Sequence, residues 1–397
     1  MPARLAVVVD TFPLWSERFI ARELNELLRR GVDFTIFCLN AGVQRGPDPE
    51  WDALTGSVCV LPRLVSAKTV AATLCALPAL HRKETRRRLQ VVARALGPSS
   101  IVRCARGHAL GAQLRAGAFT AVHAHFANWP STIAWLAAHD ANLPLTVSVH
   151  ARDLFVEAQL LEEKARDARA IFACSQLAAR HVAGIGPARG KVIYMTHGLP
   201  LDLYPFHELP ARDPLRPELL AAGRFVAKKG FGELLAALEA PPLRGRTLTL
   251  TLVGDGPERV RLDQRIAQLG LSSCVQVRPP VPSAQLREWI ANAAVFIAPY
   301  RQTDEGDRDG IPNAVLEAFA LGTPVVGTAA GGLPEVLGAE TGFVTPDASA
   351  AALAETIAQA LDDRTAAARR AATARKLVEE HHDIRHCIEP LLNVLNT

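Results

Sequence analysis

Short apolar runs rich in β-branched residues alternate along the chain with longer segments in which Ala, Leu and Arg recur at helical spacing. This is the pattern of βαβ units building a parallel sheet. In the first half the runs predict strands at Leu5–Val9, Phe34–Leu39, Ala121–His125, Leu145–His150, Ile171–Cys174 and Val192–Tyr194, with helices filling the gaps. Between Thr196 and Pro217 the pattern lapses, and five prolines (200, 205, 210, 214 and 217) read as a connection between domains. The alternation then restarts, with strands expected at Leu219–Arg224, Leu248–Val253, Val275–Arg278, Val295–Pro299 and Pro324–Thr328, and helices such as 230–239 and 257–269. From about Ala350 to the end the chain reads as helix throughout, a tail long enough to cross back onto the first half.

Length agrees with this division. At roughly 150 residues per domain, 397 residues with 49% apolar content predict two or three domains, each with its own core. The formal net charge of +4 is too small over that length to grip nucleic acid, so any basic role is local. Seven cysteines are scattered and never form CxxC, which predicts reduced thiols rather than a disulfide frame or zinc knuckle. The apolar stretch Leu5–Val9 is too short for a signal peptide, and no run of about 18 apolar residues occurs, so a cytoplasmic protein without a membrane span is expected.

In open α/β sheets ligands bind at the carboxyl ends of the strands, so the loops that follow strands are where chemistry is sought, in a cleft between two such sheets. The loop after the first strand, Asp10–Trp15, has no glycine, and GxGxxG is absent, which argues against a dinucleotide-dependent hydride transfer. Gly223-Arg224-Phe225-Val226-Ala227-Lys228-Lys229-Gly230 lies between a strand end and a helix start. There Gly223 lets backbone approach a phosphate, and Arg224 and Lys229 offer a fork and a point charge; a solvated basic turn is the plainer alternative. Asp309-Gly310-Ile311-Pro312-Asn313-Ala314-Val315-Leu316-Glu317 runs into a short helix ended by Gly322 and Pro324. The free N–H groups at that helix start form an anion site suited to a diphosphate leaving group. Asp309 and Glu317, eight residues apart, are spaced to reach opposite ends of one sugar nucleotide.

These segments, with VGDGPE (Val253 to Glu258) between them, resemble the retaining glycosyltransferases of family 4, which have the two-domain GT-B fold. In the first half FPLWSERFI (Phe12 to Ile20), HAHFANWPSTIAWLAA (His123 to Ala138), SVHARDLF (Ser148 to Phe155), CSQLAAR (Cys174 to Arg180) and HGLPLDLY (His197 to Tyr204) extend the likeness. It is closest to members that assemble bacterial polysaccharides of the exopolysaccharide or colanic-acid type. The resemblance implies an α/β chain of two doubly wound Rossmann-like domains. The acceptor-binding domain would be 1–199 with a returning helix at about 380–397, and the nucleotide-sugar donor domain 200–379.

By the same resemblance Arg224 and Lys229 bind the donor diphosphate, Glu317 the ribose hydroxyls, and Asp309 the hydroxyls of the donor sugar, standing where the family usually has glutamate. The backbone of Ile311, Pro312, Asn313 and Ala314 cradles sugar and phosphate, Val281 lies near the nucleobase, and His150 contacts the donor sugar. Asp153, three residues on, either orients that imidazole or binds acceptor. His123 and His125 share a strand face and are read as core or acceptor-shaping residues, since no third metal ligand is evident. Asp307-Arg308-Asp309 is formally a DxD, yet Arg224, Lys229 and the helix start already supply the neutralisation a metal would bring. No metal and no cofactor beyond the sugar-nucleotide substrate are therefore expected.

The implied activity is transfer of a sugar from a nucleotide-diphosphate donor to a hydroxyl of a saccharide or lipid-linked saccharide, with retention. A nucleotide-sugar epimerase or phosphorylase-like enzyme on the same architecture, and a silent sugar-nucleotide-binding partner subunit, are the competing readings. Residues 78–94 carry six cations (Arg82, Lys83, Arg86, Arg87, Arg88 and Arg94) and are read either as an exposed helix face or as a contact with the anionic inner face of the cell membrane.

Overall fold

The structure, a computed structural model, describes residues 4–43, 48–62, 83–208 and 216–396. Residues 78–82 of the basic segment and 209–215 of the proline-rich connection lie outside them. The chain divides into two compact units, the first ending at Met195 and regaining the chain from Ile388, the second running from Thr196 to Cys387 with Asp48 added.

Unit 1 is a parallel sheet of seven strands, β1 (Arg4–Phe12), β2 (Asp33–Ala41), β3 (Val58–Val60), β4 (Ala121–His125), β5 (Leu145–Val149), β6 (Ala170–Ala173) and β7 (Val192–Tyr194). Their order is β3-β2-β1-β4-β5-β6-β7. The α-helices of five or more residues are α1 (Arg18–Arg29), α2 (Lys83–Leu96), α3 (Ser100–Ala116), α4 (Trp129–Ala141), α5 (Ala151–Phe155), α6 (Leu161–Asp167) and α7 (Gln176–Ala183). Side chains alternate across the sheet: Ala6 and Val8 enter the core shared with α3 and α4, while Leu5, Val7 and Val9 enter the core shared with α1. Both faces are thus buried, which is why β1 reads as a continuous apolar run.

Unit 2 repeats the plan with β8 (Glu218–Ala222), β9 (Thr249–Val253), β10 (Val275–Arg278), β11 (Val295–Ala298), β12 (Val325–Thr328) and β13 (Phe343–Thr345), ordered β10-β9-β8-β11-β12-β13. Its α-helices of five or more residues are α8 (Phe231–Leu238), α9 (Arg259–Gln268), α10 (Ser283–Asn292), α11 (Asn313–Leu321), α12 (Ala350–Asp362) and α13 (Arg364–His381). Leu219 and Ala221 face one core, Leu220 and Ala222 the other. In each unit the strand order reverses at a single place, between β1 and β4 and between β8 and β11. Those switch points, where successive crossovers leave to opposite sides, open a crevice at the strand ends.

The tail departs from the continuous helix expected. After α13 the chain extends at His382 and Asp383, where Asp383 bridges Leu199 and the Leu199 N–H donates to the His382 carbonyl at 2.7 Å. Buried His382 also meets Thr196 Oγ1 at 3.1 Å, so the break is held by tertiary contacts that override local helix preference. A last helix, α14 (Glu389–Asn396), then joins unit 1, where Ile388, Leu391 and Leu392 complete the core around Leu5 and Ile20.

Candidate active site

In unit 2 both switch-point strands end in loops that carry the charged residues. Beyond β8, Gly223 leads to Arg224 and a 3₁₀ turn (Ala227–Lys229), and the chain turns into α8 at Gly230. Gly230 has φ +64°, and a Cβ there would stand 1.8 Å from the Pro299 carbonyl oxygen, so only glycine lets this turn lie against the end of β11. Gly223 leaves room for the stem of Lys229, whose Cε would lie 3.1 Å from an added Cβ. Across from this turn the loop after β11 carries Tyr300 to Pro312 and opens α11. The Arg301 N–H donates to the Lys228 carbonyl at 2.8 Å, binding the two loops together.

Four charges meet there. Lys229 Nζ stands 2.6 Å from Asp309 Oδ2 and 4.0 Å from the centre of the Tyr300 ring. Lys228 Nζ reaches Asp309 Oδ1 at 3.2 Å and Asp307 Oδ1 at 3.0 Å. Burial opposes the charge on Lys229, but Asp309 and Tyr300 outweigh it and hold the ammonium above its ordinary pKa. Burial likewise works against the Asp309 carboxylate, and the two lysines outweigh it, so its pKa falls below the usual value. Burial, with lesser help from Asp309 and Glu317, pushes the Tyr300 phenol up against the pull of Lys229. Both carboxylates of the Asp307-Arg308-Asp309 segment are therefore taken up by lysines. Arg224, by contrast, is exposed and its guanidinium makes no ion pair or hydrogen bond among the described residues.

Asp309 is fixed from its backbone as well. Its carbonyl accepts the Gly332 N–H at 3.0 Å. At Gly331, φ +61°, a Cβ would stand 2.3 Å from that same oxygen, so the Gly331-Gly332 turn after β12 presses directly on the loop. Ile311 and Pro312 are buried, and Pro312 is the residue just before α11 rather than its first turn. Asn313 and Ala314 open the helix with N–H groups that have no partner within it. The Asn313 side-chain oxygen is buried without a hydrogen-bond partner among the described residues. Glu317 is buried one turn further on. Gly322 ends α11 at φ +80°, as its sequence position suggests. Val281, three residues past β10, is half-buried against the unit 2 core.

Lys228, Tyr300 and Gly331-Gly332 complete this constellation and were not singled out from sequence. Their signal is positional: each lies in a loop that directly follows β8, β11 or β12.

In unit 1, His150 immediately precedes α5. Its ring lies 4.5 Å from that of Phe126, 4.8 Å from Phe19 and 5.8 Å from His125. Asp153 is buried, and its carboxylate accepts the His150 N–H at 3.0 Å and the Ala127 N–H at 2.5 Å. It therefore grips backbone rather than presenting a free carboxylate. Burial pushes Asp153 up to about 7, opposed by those hydrogen bonds and by Lys164. His123 meets Thr146 Oγ1 at 2.8 Å and Ser148 Oγ at 3.2 Å, and burial lowers it to about 3, so it is a neutral core imidazole. His125 Nε2 lies 3.7 Å from Glu23 Oε2. No group of three His, Cys, Asp or Glu side chains is set to hold a metal ion among the described residues. Nor is any described helix long and apolar enough to cross a membrane.

Two family profiles match, one to each unit: Glycosyltransferase Family 4 over residues 16–203 and Glycosyl transferases group 1 over residues 216–363. The colanic acid biosynthesis glycosyltransferase WcaL of Escherichia coli K12 is 26% identical over 369 residues, which are 87% of this chain and 88% of that protein. The amylovoran biosynthesis glycosyltransferase AmsK of Erwinia amylovora is 29% identical over 205 residues, about half of each chain (49% and 50%). Among solved structures, Anabaena HepE in complex with UDP and glucose superposes with a TM-score of 0.71 over 99% of both chains at 17% identity, a likeness of fold. Two parallel α/β units, a family 4 domain followed by a group 1 domain, and relatives of this kind place the chain among the family 4 glycosyltransferases of GT-B fold, enzymes of glycosyl transfer.

Proposed function

We propose that the chain moves a sugar from a nucleoside-diphosphate donor to a hydroxyl of a saccharide or lipid-linked saccharide, with retention at the anomeric carbon and without a metal. The process served would be assembly of a bacterial exopolysaccharide. The observation that carries this reading is the exposed Arg224, unpaired among the described residues, on the same turn after β8 as Lys229, whose ammonium pairs with Asp309 in the loop that opens α11, both loops leaving the switch point of one sheet.

As the glycosidic bond breaks, negative charge gathers on the departing diphosphate. Arg224, Lys229 and the first N–H groups of α11 stabilise that charge more than the ground state, and such differential binding is where rate comes from. Lys229 turns from Asp309 toward the diphosphate when donor enters, and Asp309, kept ionised, accepts hydrogen bonds from sugar hydroxyls. Glu317 receives the ribose, the backbone from Ile311 to Ala314 cradles sugar and phosphate, and Val281 borders the base. His150 contacts the sugar, with Asp153 behind it. Lysines on both aspartates of the Asp307-Arg308-Asp309 segment support a metal-independent reaction. The names of the relatives, for colanic acid and amylovoran biosynthesis, support the polysaccharide class, and the UDP and glucose in HepE support the donor class.

The acceptor side has a further support. Lys83, Arg86, Arg87 and Arg94 of α2 are exposed, close in sequence to exposed Ile101 and Val102 at the start of α3, a combination suited to an anionic membrane surface on the cytoplasmic side.

A melting-point screen of nucleotide sugars tests the donor assignment, since a ligand at 100 times its Kd adds about 2.7 kcal/mol to the native state. With the donor so found, Arg224→Ala and Lys229→Ala each lower kcat/KM at least about tenfold while the fold is kept. No shift with any nucleotide sugar, or wild-type turnover in both variants, overturns the assignment.

A further inference from the structure

The switch point of unit 1 holds a buried lysine that the glycosyl-transfer reading leaves unused, bonded to the same loop that the buried Asp153 grips. Lys164 on α6 is 1% exposed. Its ammonium donates to the Ala127 carbonyl at 2.9 Å, the Asn128 carbonyl at 3.0 Å and Ser131 Oγ at 2.8 Å, which exhausts its three hydrogens. All three acceptors belong to the loop between β4 and α4 or to the first turn of α4. The Ala127 N–H donates to Asp153, so this one residue is clamped on its carbonyl side by a cation and on its N–H side by an anion. The same Asp153 carboxylate takes the His150 N–H at 3.0 and 3.2 Å.

Between these clamps stands Phe126, at φ +75°, a left-handed conformation unusual for a bulky side chain and held only where surroundings over-determine it. The Phe126 N–H donates to the Ser148 carbonyl at 2.8 Å, and its ring centre lies 4.5 Å from that of His150. A buried ammonium and carboxylate are a costly way to hold a loop where an apolar contact would serve. Their hydrogen bonds, however, set direction as well as proximity, and they converge where the sheet opens.

We propose that Lys164 and Asp153 are positioning residues which lock the Phe126–Asn128 loop to the His150 turn and so fix the imidazole for glycosyl transfer without touching substrate. The inference rests on the reading that His150 contacts the donor sugar. Lys164 governs the loop side of the lock and Asp153 the histidine side, with Ala127 as the shared peptide.

The test is a double-mutant cycle in the full chain, using the nucleotide sugar selected by melting-point screening. Lys164→Met, which keeps the stem and deletes all three hydrogen bonds, is expected to lower kcat at least about tenfold while UDP or GDP affinity, a property of unit 2, stays within about twofold. In a His150→Ala background the same change is expected to alter kcat less than about twofold, because the effect passes through the imidazole. Ser131→Ala removes one hydrogen bond in three and provides a milder variant should Lys164→Met fold poorly; its smaller loss must vanish in the same background. If the losses multiply, the pair serves the fold alone and the positioning role is overturned while the His150 assignment stands. If His150→Ala alone retains wild-type kcat, both fall together.

Discussion

Lys229 and Asp309 meet at 2.6 Å with side chains 14% and 18% exposed, so each has given up most of its water for the other. Removing one partner strands the second, and breaking a buried pair typically costs about 3–5 kcal/mol. Asp309→Ala is therefore expected to lower the urea midpoint by an amount near the small end of that range, because Tyr300 and residual solvent still face the ammonium. Asp309→Glu keeps the charge and lengthens the reach by one methylene, and is expected to retain both stability and activity. An unchanged midpoint in Asp309→Ala would mean that the pair is not formed in the ligand-free protein. Arg224, Lys229 and Asp309 stood out as candidates in the sequence because charged residues beside glycine in a strand–loop–helix pattern leave a one-dimensional trace, and Glu317 through its spacing from Asp309. Tyr300 was not, since an aromatic at a strand end looks like core until the loop after β8 is folded back onto it. Asp153 was legible as a partner of His150 but not as a backbone acceptor, because its second contact, Ala127, lies 26 positions away.

At the scale of elements the sheet strands were legible where short apolar, β-branched runs stand between longer helical segments. β4, β7 and β10 have the expected bounds, whereas the three-residue edge strands β3 and β13 were not read from the sequence. Strands also tend to stop where chemistry begins: β8 ends at Ala222 and β5 at Val149, leaving Gly223, Arg224 and His150 in the loops. Helix α2 shows what a charge run conceals. Its cations look alike in sequence, yet Arg88 is buried, 2.6 Å from Asp167 and stacked 4.6 Å from the centre of the Trp135 ring, whereas Lys83, Arg86, Arg87 and Arg94 face outward. Arg88→Ala is expected to destabilise unit 1 by about 1–3 kcal/mol through lost packing and charge, leaving vesicle binding in proportion to the folded fraction. Arg86→Ala with Arg87→Ala is expected to change stability by less than about 0.5 kcal/mol per site and to weaken sedimentation with anionic vesicles by about 1 kcal/mol per cation. Equal vesicle binding by that double variant would remove the membrane reading of this face.

For the molecule as a whole, the chain's last residues matter more to its first unit than to the second. Ile388, Leu391 and Leu392 are buried among Leu5, Ile20 and Phe34, on the opposite face of the sheet from α3 and α4. Burying one such side chain is worth about 1.5–3 kcal/mol, so three contribute roughly 5–9 kcal/mol. That is of the order of a whole domain's stability, about 5–15 kcal/mol. A chain ended after Cys387 is therefore expected to leave unit 1 largely unfolded or molten while unit 2, whose own tail contacts at Leu199 and His382 are intact, stays folded. Hydrogen exchange reads the two separately: amides of β1, β2 and α1 should lose protection, and those of β8, β11 and α11 should keep it. Full protection of β1 in the shortened chain would mean that α14 only rests on a core already complete. The return of the tail was foreseeable from its length, but the place where helix gives way was not, because Leu199, some 180 positions upstream, supplies the hydrogen bonds that end α13.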